Sequence, residues 1–161
     1  MQLSVAPILD RAELIEFAAA VRFRGEKIVL ANGCFDLIHA GHIRYLAGAK
    51  QLGGILIVGI NSDRQVQALK GDPRPLISEL ERAEIISSLR FVDAVTIFDE
   101  PTVEELIRAI GPDFHAKGTD YTSETVPERA IVTEMGGKVA IVGDPKEHSS
   151  SQLIKNISGG R

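Results

Sequence analysis

Residues 28–42 read Ile-Val-Leu-Ala-Asn-Gly-Cys-Phe-Asp-Leu-Ile-His-Ala-Gly-His, and this stretch decides the fold. Positions 28–31 form a short apolar run rich in branched side chains, the pattern of a buried strand. Asn32-Gly33 is a turn signal, and a helix over 41–52 is expected to follow. A second run at 55–60 is apolar without alternation, as expected for a strand covered on both faces in a parallel sheet. Parallel neighbours require a crossover connection, so strand, helix and strand here form one β-α-β unit.

The same alternation extends in both directions. Asp10 with Glu13 forms a capping box that opens an N-terminal helix over 10–24, burying Leu14, Phe17, Ala18 and Val21. Downstream, Ser78 with Glu81 and Thr102 with Glu105 are two further capping boxes. The apolar faces they introduce are Leu80, Ala83 and Ile86, then Val103, Leu106, Ile107 and Ile110. Strands are expected at 94–98, 113–116 and 139–142, with one helix started by Thr125 together with Pro127 and Glu128, and a last helix over 150–157. Five strands alternating with helices predict an α/β, Rossmann-like, doubly wound five-stranded parallel sheet. One domain over 1–161 is expected, with its core at 26–157.

Composition narrows the partners. Of the 161 residues, 44% are hydrophobic and 25% charged, which fits a globular chain and excludes disorder. A net charge of −4 argues against a broad nucleic-acid footprint. Cys34 is the only cysteine, so no internal disulfide forms, and residues 1–24 lack the apolar segment of a secretory signal. The longest apolar run is too short to span a bilayer. A cytoplasmic protein with neither nucleic acid nor membrane as partner is expected.

In open α/β sheets ligands collect at the carboxyl ends of the strands. After the first strand come Asp36, His39 and His42, and after the second Asn61, Ser62 and Asp63. Lys117, Gly118 and Asp120 follow the fourth, and His148, Ser149, Ser150 and Ser151 follow the fifth. The turn with His39-Ala40-Gly41-His42 is the sharpest of these. It places two imidazoles and a glycine at a helix start, where free N–H groups and the helix dipole attract phosphate. Donors fixed there would stabilise charge developing on a phosphorus under attack. A phosphate nucleophile is already ionised, so positioning matters more than a general base. Taken alone, the two histidines also fit a turn cap with a packed ring, or a metal pair. His115 reads as a packed residue.

Residues 32–50 resemble the signature of the His-x-Gly-His cytidylyltransferase-like superfamily, and within it the chain is similar to the heptose 1-phosphate adenylyltransferases. The resemblance spans 25–157. It takes in Leu69-Lys70-Gly71 with Arg74-Pro75, Glu81-Arg82-Ala83-Glu84, Val92-Asp93, Phe98-Asp99-Glu100 with Thr102, and Lys117-Gly118 with Asp120-Tyr121. It implies transfer of AMP from ATP to D-glycero-β-D-manno-heptose 1-phosphate, giving ADP-heptose and pyrophosphate for lipopolysaccharide core synthesis, with Mg²⁺ held mainly by the nucleotide phosphates and not by a protein metal site.

His39, His42 and Lys70 would then be catalytic, Lys70 acting from a mobile loop. Gly33, Cys34, Phe35, Gly41, Gly118, Asp120 and His148 to Ser151 would line the nucleotide. Asp36, Asn61, Asp63, Arg74, Arg82 and Lys117 would face the sugar phosphate. Without the resemblance, Lys70, Arg74 and Arg82 read as a solvated charged loop and helix face, and Asp63 as a helix cap.

Two departures bear on the base. Relatives often carry Gly or Cys followed by Ser-Thr-Thr where this chain has His148-Ser149-Ser150-Ser151, which retains hydroxyl donors. The arginine usual in the cytidylyltransferase version is absent, which disfavours CTP. Members commonly form homodimers, and bifunctional relatives carry a sugar kinase ahead of this domain. A homodimer served by a separate kinase is therefore expected. The alternatives are a cytidylyltransferase acting on glycerol 3-phosphate or another polyol phosphate, and a nucleotide-binding regulatory module without turnover.

Overall fold

The run at 28–33 forms β1 (Ile28–Gly33) at the centre of a five-stranded sheet, in a computed structural model that describes residues 4–145 and 149–159. The other strands are β2 (Ile55–Asn61), β3 (Ala94–Phe98), β4 (Phe114–Lys117) and β5 (Lys138–Ile141). Their order is β3-β2-β1-β4-β5, and every pairing is parallel. The chain winds outward from β1 to β3, then returns to lay β4 on the other side of β1. That reversal makes the carboxyl edge between β1 and β4 the topological switch point.

Helices cover both faces, as the continuous apolar strands require. Leu30 and Ile57 face α1 (Arg11–Phe23), α5 (Glu104–Ile110) and α6 (Arg129–Glu134), burying Leu14, Ile107 and Val132. Val29, Ala31 and Val58 face α2 (Ala40–Lys50) and α4 (Glu79–Ser87), burying Leu46 and Ile86. Two further helices, α3 (Asp63–Lys70) and α7 (Ser150–Ser158), complete the elements. Among the described residues no helix is long and apolar enough to cross a membrane.

The capping boxes at Asp10/Glu13 and Ser78/Glu81 both form. The one expected at Thr102/Glu105 does not: α5 starts at Glu104 behind Val103, and its N-cap makes no side-chain hydrogen bond. A second correction concerns α4. Leu80, expected inside, is 70% exposed, while Arg82 is fully buried on the same face as Ala83 and Ile86.

Candidate functional site

β1 stays in register with β2 as far as Gly33↔Ile60, but pairs with β4 only at Val29↔Phe114 and Leu30↔His115. Beyond that point β1 and β4 part, and a cavity of about 290 Å³ opens between them. Its walls are the carboxyl end of β1, the first turns of α2, the segment after β4 and residues 142–145 beyond β5.

The two histidines build the start of α2 themselves. His39 is the N-cap, and its Nδ1 accepts the N–H of Gly41 at 3.1 Å. His42 Nδ1 accepts the N–H of His39 at 3.3 Å. This is a reciprocal capping box made of imidazoles in place of the usual hydroxyl and carboxylate. An Nδ1 that accepts a backbone proton carries none of its own, so each neutral ring holds its proton on Nε2, as a donor. The ring centroids are 3.9 Å apart. Gly41 is required because a Cβ there would lie 2.8 Å from His39 Cε1.

Phe35 locks the turn. Its backbone is left-handed, with φ at 50°, an uncommon state for a bulky residue. Its ring is 3% exposed and packs edge-on to His42 and against Tyr45. Gly33 leaves room for that ring, which would lie 3.2 Å from any Cβ at position 33. Strain of this kind persists only where packing over-determines it, and here it aims a phosphate-type turn at the cavity.

Of the expected site residues, the cavity gathers Gly33, Cys34, Phe35, His39, Gly41, His42, Lys117, Gly118 and Asp120. Lys117 is held by Glu128, with Nζ 3.3 Å from Oε2, and lies 5.1 Å from the centre of the Tyr121 ring. Burial pushes the Cys34 thiol above its ordinary pKa, with the charges of Lys70 and Arg82 working against that rise. Its Sγ lies 3.9 Å from Asn61 Oδ1.

A second group lies on the other flank of β1, outside the cavity walls. Arg82 has no exposed surface. It donates to the carbonyls of Ile77, Cys34 and Asn61 and to Asp63 Oδ1, which uses four of its five N–H donors. The expected contact between Arg82 and substrate is therefore corrected to a brace tying β1, β2 and α4 together. Asp36, 1% exposed, accepts Arg74 Nε at 2.5 Å and the N–H groups of Leu76 and Ile77 at 2.9 and 3.1 Å. Burial alone would raise its pKa, but Arg74 and those two amides outweigh it and hold the carboxyl below its ordinary value.

Asp36 and Arg74 are neither solvated nor in the cavity wall: Arg74 gives its Nε to Asp36, while its Nη2 is buried without a hydrogen-bond partner among the described residues. Asp63 binds Arg82 with one oxygen and stays half exposed. Lys70 ends α3, exposed, with an electrostatic influence on Cys34. His148 lies outside the described residues, as does the side chain of Ser150. Ser149 caps α7 by accepting Gln152 N–H at 3.1 Å, and Ser151 is exposed in its first turn.

The sequence reading missed Asn32, Tyr45 and the rim pair Arg44–Asp144. Tyr45 falls one helical turn after His42 and donates to Ala116 O at 2.8 Å, joining α2 to β4. Helical spacing from His42 was the signal for it. Arg44 and Asp144 are 3.4 Å apart and exposed, a pair of small energetic weight.

Residues 30–158 match the cytidylyltransferase-like family. The chain belongs to that family. It is a nucleotidyltransferase of the cytidylyltransferase-like type, and the match begins within β1 and includes both histidines. Bifunctional protein HldE of Methylobacillus flagellatus is 49% identical over 137 residues, 85% of this chain and 28% of that protein. Bifunctional protein HldE of Pelobacter propionicus is 46% identical over 154 residues, 96% of this chain and 32% of that protein. The chain thus spans about a third of the length of these relatives. Among solved structures, a lipopolysaccharide core biosynthesis protein from Thermoplasma volcanium superposes with a TM-score of 0.65 at 27% identity, covering 76% of this chain and all of that one. A pantoate-beta-alanine ligase from Francisella tularensis, with a TM-score of 0.64 at 15% identity over 92% of this chain and 69% of its own, shares the fold alone.

Proposed function

We propose that this cytidylyltransferase-like domain transfers AMP from ATP to D-glycero-β-D-manno-heptose 1-phosphate, giving ADP-heptose and pyrophosphate. The observation that carries the reading is the imidazole capping box, which turns two Nε2–H donors away from the backbone at the positive end of α2, beside the cavity. A phosphate oxygen of the acceptor attacks the α-phosphorus, and the bond to the pyrophosphate leaving group breaks. The acceptor oxygen is already ionised and no proton has to be removed. His39 and His42 donate to the oxygens on which charge accumulates, lowering the barrier more than they tighten substrate binding. Lys70, exposed at the end of α3, adds positive charge from the β2 flank.

Mg²⁺ enters with the triphosphate. Among the described residues no group of three or more His, Cys, Asp or Glu is arranged to hold a metal, so no step is assigned to it. The heptose acceptor is supported by the two bifunctional relatives and by the lipopolysaccharide core protein of Thermoplasma volcanium. A kinase is the class of enzyme that supplies a sugar 1-phosphate.

The test is pyrophosphate release measured over ATP and CTP, each paired with heptose 1-phosphate, glycerol 3-phosphate and other sugar phosphates. Release confined to ATP with heptose 1-phosphate is expected. Strong preference for CTP would remove the heptose assignment, and nucleotide binding with no release from any pair would favour a regulatory module.

A further inference from the structure

β1 carries Asn32 just before the turn, and its side chain is held from the neighbouring strand by a histidine that the transfer step does not use. His115 in β4 has no exposed surface. Its Nε2 lies 2.9 Å from Asn32 Oδ1, and its Nδ1 is buried without a hydrogen-bond partner among the described residues.

Two proton placements compete. With the proton on Nε2, His115 donates to Asn32 Oδ1, and only a bare lone pair on Nδ1 is left unmatched. With the proton on Nδ1, the Asn32 amide must turn over to become the donor, and a buried N–H is left without an acceptor. An orphaned donor is the rarer and costlier of the two, so the first arrangement holds. The ring also stays neutral, since burial, and after it the charge of Lys117, push its pKa down to about 3.

Asn32 Oδ1 is therefore committed to the protein. Its Nδ2 takes no protein acceptor among the described residues, and Asn32 lines the cavity. Alternation along β1 puts Asn32 on the side of Ile28 and Leu30, opposite the face covered by α2. The amide thus meets a ligand across the sheet edge from His39 and His42. A ligand gripped at both places must extend over that edge, as a nucleotide does and a lone phosphate does not.

We propose that Asn32 is a nucleotide-binding residue whose amide donates to an oxygen of the nucleotide in this cavity, and that His115 is the positioning residue keeping that amide turned outward. This rests on the nucleotidyl-transfer reading above.

The test is calorimetric titration of ATP with Mg²⁺ into the wild type, Asn32→Ala, Asn32→Asp, His115→Leu, His115→Gln and the double variant Asn32→Ala/His115→Leu. Asn32→Ala should weaken ATP about five- to tenfold, the scale of one hydrogen bond. Asn32→Asp keeps the size and the Oδ1 bond but replaces the donor with a negative charge, and should weaken it further. His115→Leu should cost about threefold through a disoriented amide, although it removes a buried orphan nitrogen and leaves the chain no less stable. His115→Gln, which returns an N–H near the position of Nε2, should restore affinity.

In the double variant the loss should match Asn32→Ala alone, because His115 acts through Asn32. Additive losses would overturn the positioning role. Unchanged ATP affinity in Asn32→Ala and Asn32→Asp, with the wild type binding normally, would overturn the Asn32 assignment while leaving the transfer reading intact. A wild type that binds neither ATP nor CTP would remove both.

Discussion

The two neighbours of β1 treat its carboxyl end in opposite ways. Toward β2 the ladder runs to Gly33↔Ile60, and the space above it is closed by Arg82, Asp36 and Arg74, buried groups bonded to one another, to Asp63 or to backbone. Toward β4 the ladder stops at Leu30↔His115, and Asn32, His39, His42 and Lys117 border open space. Polar residues within a few positions of each other therefore do different work according to flank. Asp36 and Arg82 give the turn its shape, while the histidines three and six residues past Asp36 line the cavity, where the proposed transfer puts its chemistry.

Removing the brace should have the largest effect. Arg82→Ala leaves two strand-end carbonyls and Asp63 without their donor, and should cost about 3–5 kcal/mol of stability, read from denaturant unfolding. A loss under about 1 kcal/mol would mean that the sealed flank is not held this way. Next comes the open flank. His42→Ala should lower kcat by about 100- to 1000-fold, or about 3–4 kcal/mol in barrier, while unfolding changes by no more than a helix cap is worth, about 1 kcal/mol. Comparable losses of stability and turnover would erase the distinction between the flanks.

The smallest effect is a pH dependence at the boundary between them. His115 has a folded pKa pushed down to about 3 from an ordinary 6.5, so the unfolded chain takes up a proton that the folded chain refuses. Stability from this group is full above pH 6.5 and declines as pH falls toward 3, by at most about 1.4 kcal/mol per pH unit. The depressed carboxyl of Asp36 shares the acid direction, but its contribution is lost only once the pH falls below the unfolded carboxylate value of about 4. Comparing wild type with His115→Leu between pH 7 and pH 4.5 isolates the histidine. Equal slopes would show that the ring does not stay neutral.

Much of this architecture was legible from local pattern. The apolar runs at 28–31 and 55–60, the caps at Asp10 and Ser78, and the histidine turn each carry their signal within a few residues. What was not legible depends on partners distant in sequence. A charge at position 82 reads as solvated until the carbonyls of Cys34 and Asn61, 48 and 21 residues away, are brought over it at the ends of two strands. Leu80 and Arg82 thus exchange the places that hydrophobicity would give them. Asn32 reads as a turn former because the histidine that orients it belongs to a strand 83 residues further on. The expected cap at Thr102 failed for a local reason, a helix beginning behind Val103 with no side-chain cap bond.

The opening of α2 has a consequence for how this site can be altered. A serine or aspartate in the same role would spend its oxygen on the amide and end there. An imidazole has a far side, so the atom that fastens the helix and the atom that the proposed transfer would offer to a ligand belong to one rigid ring, and their separation is fixed by aromatic bonding. Exchanging His39 for an ordinary capping residue would leave a helix that starts correctly and a doorway with one imidazole where there were two.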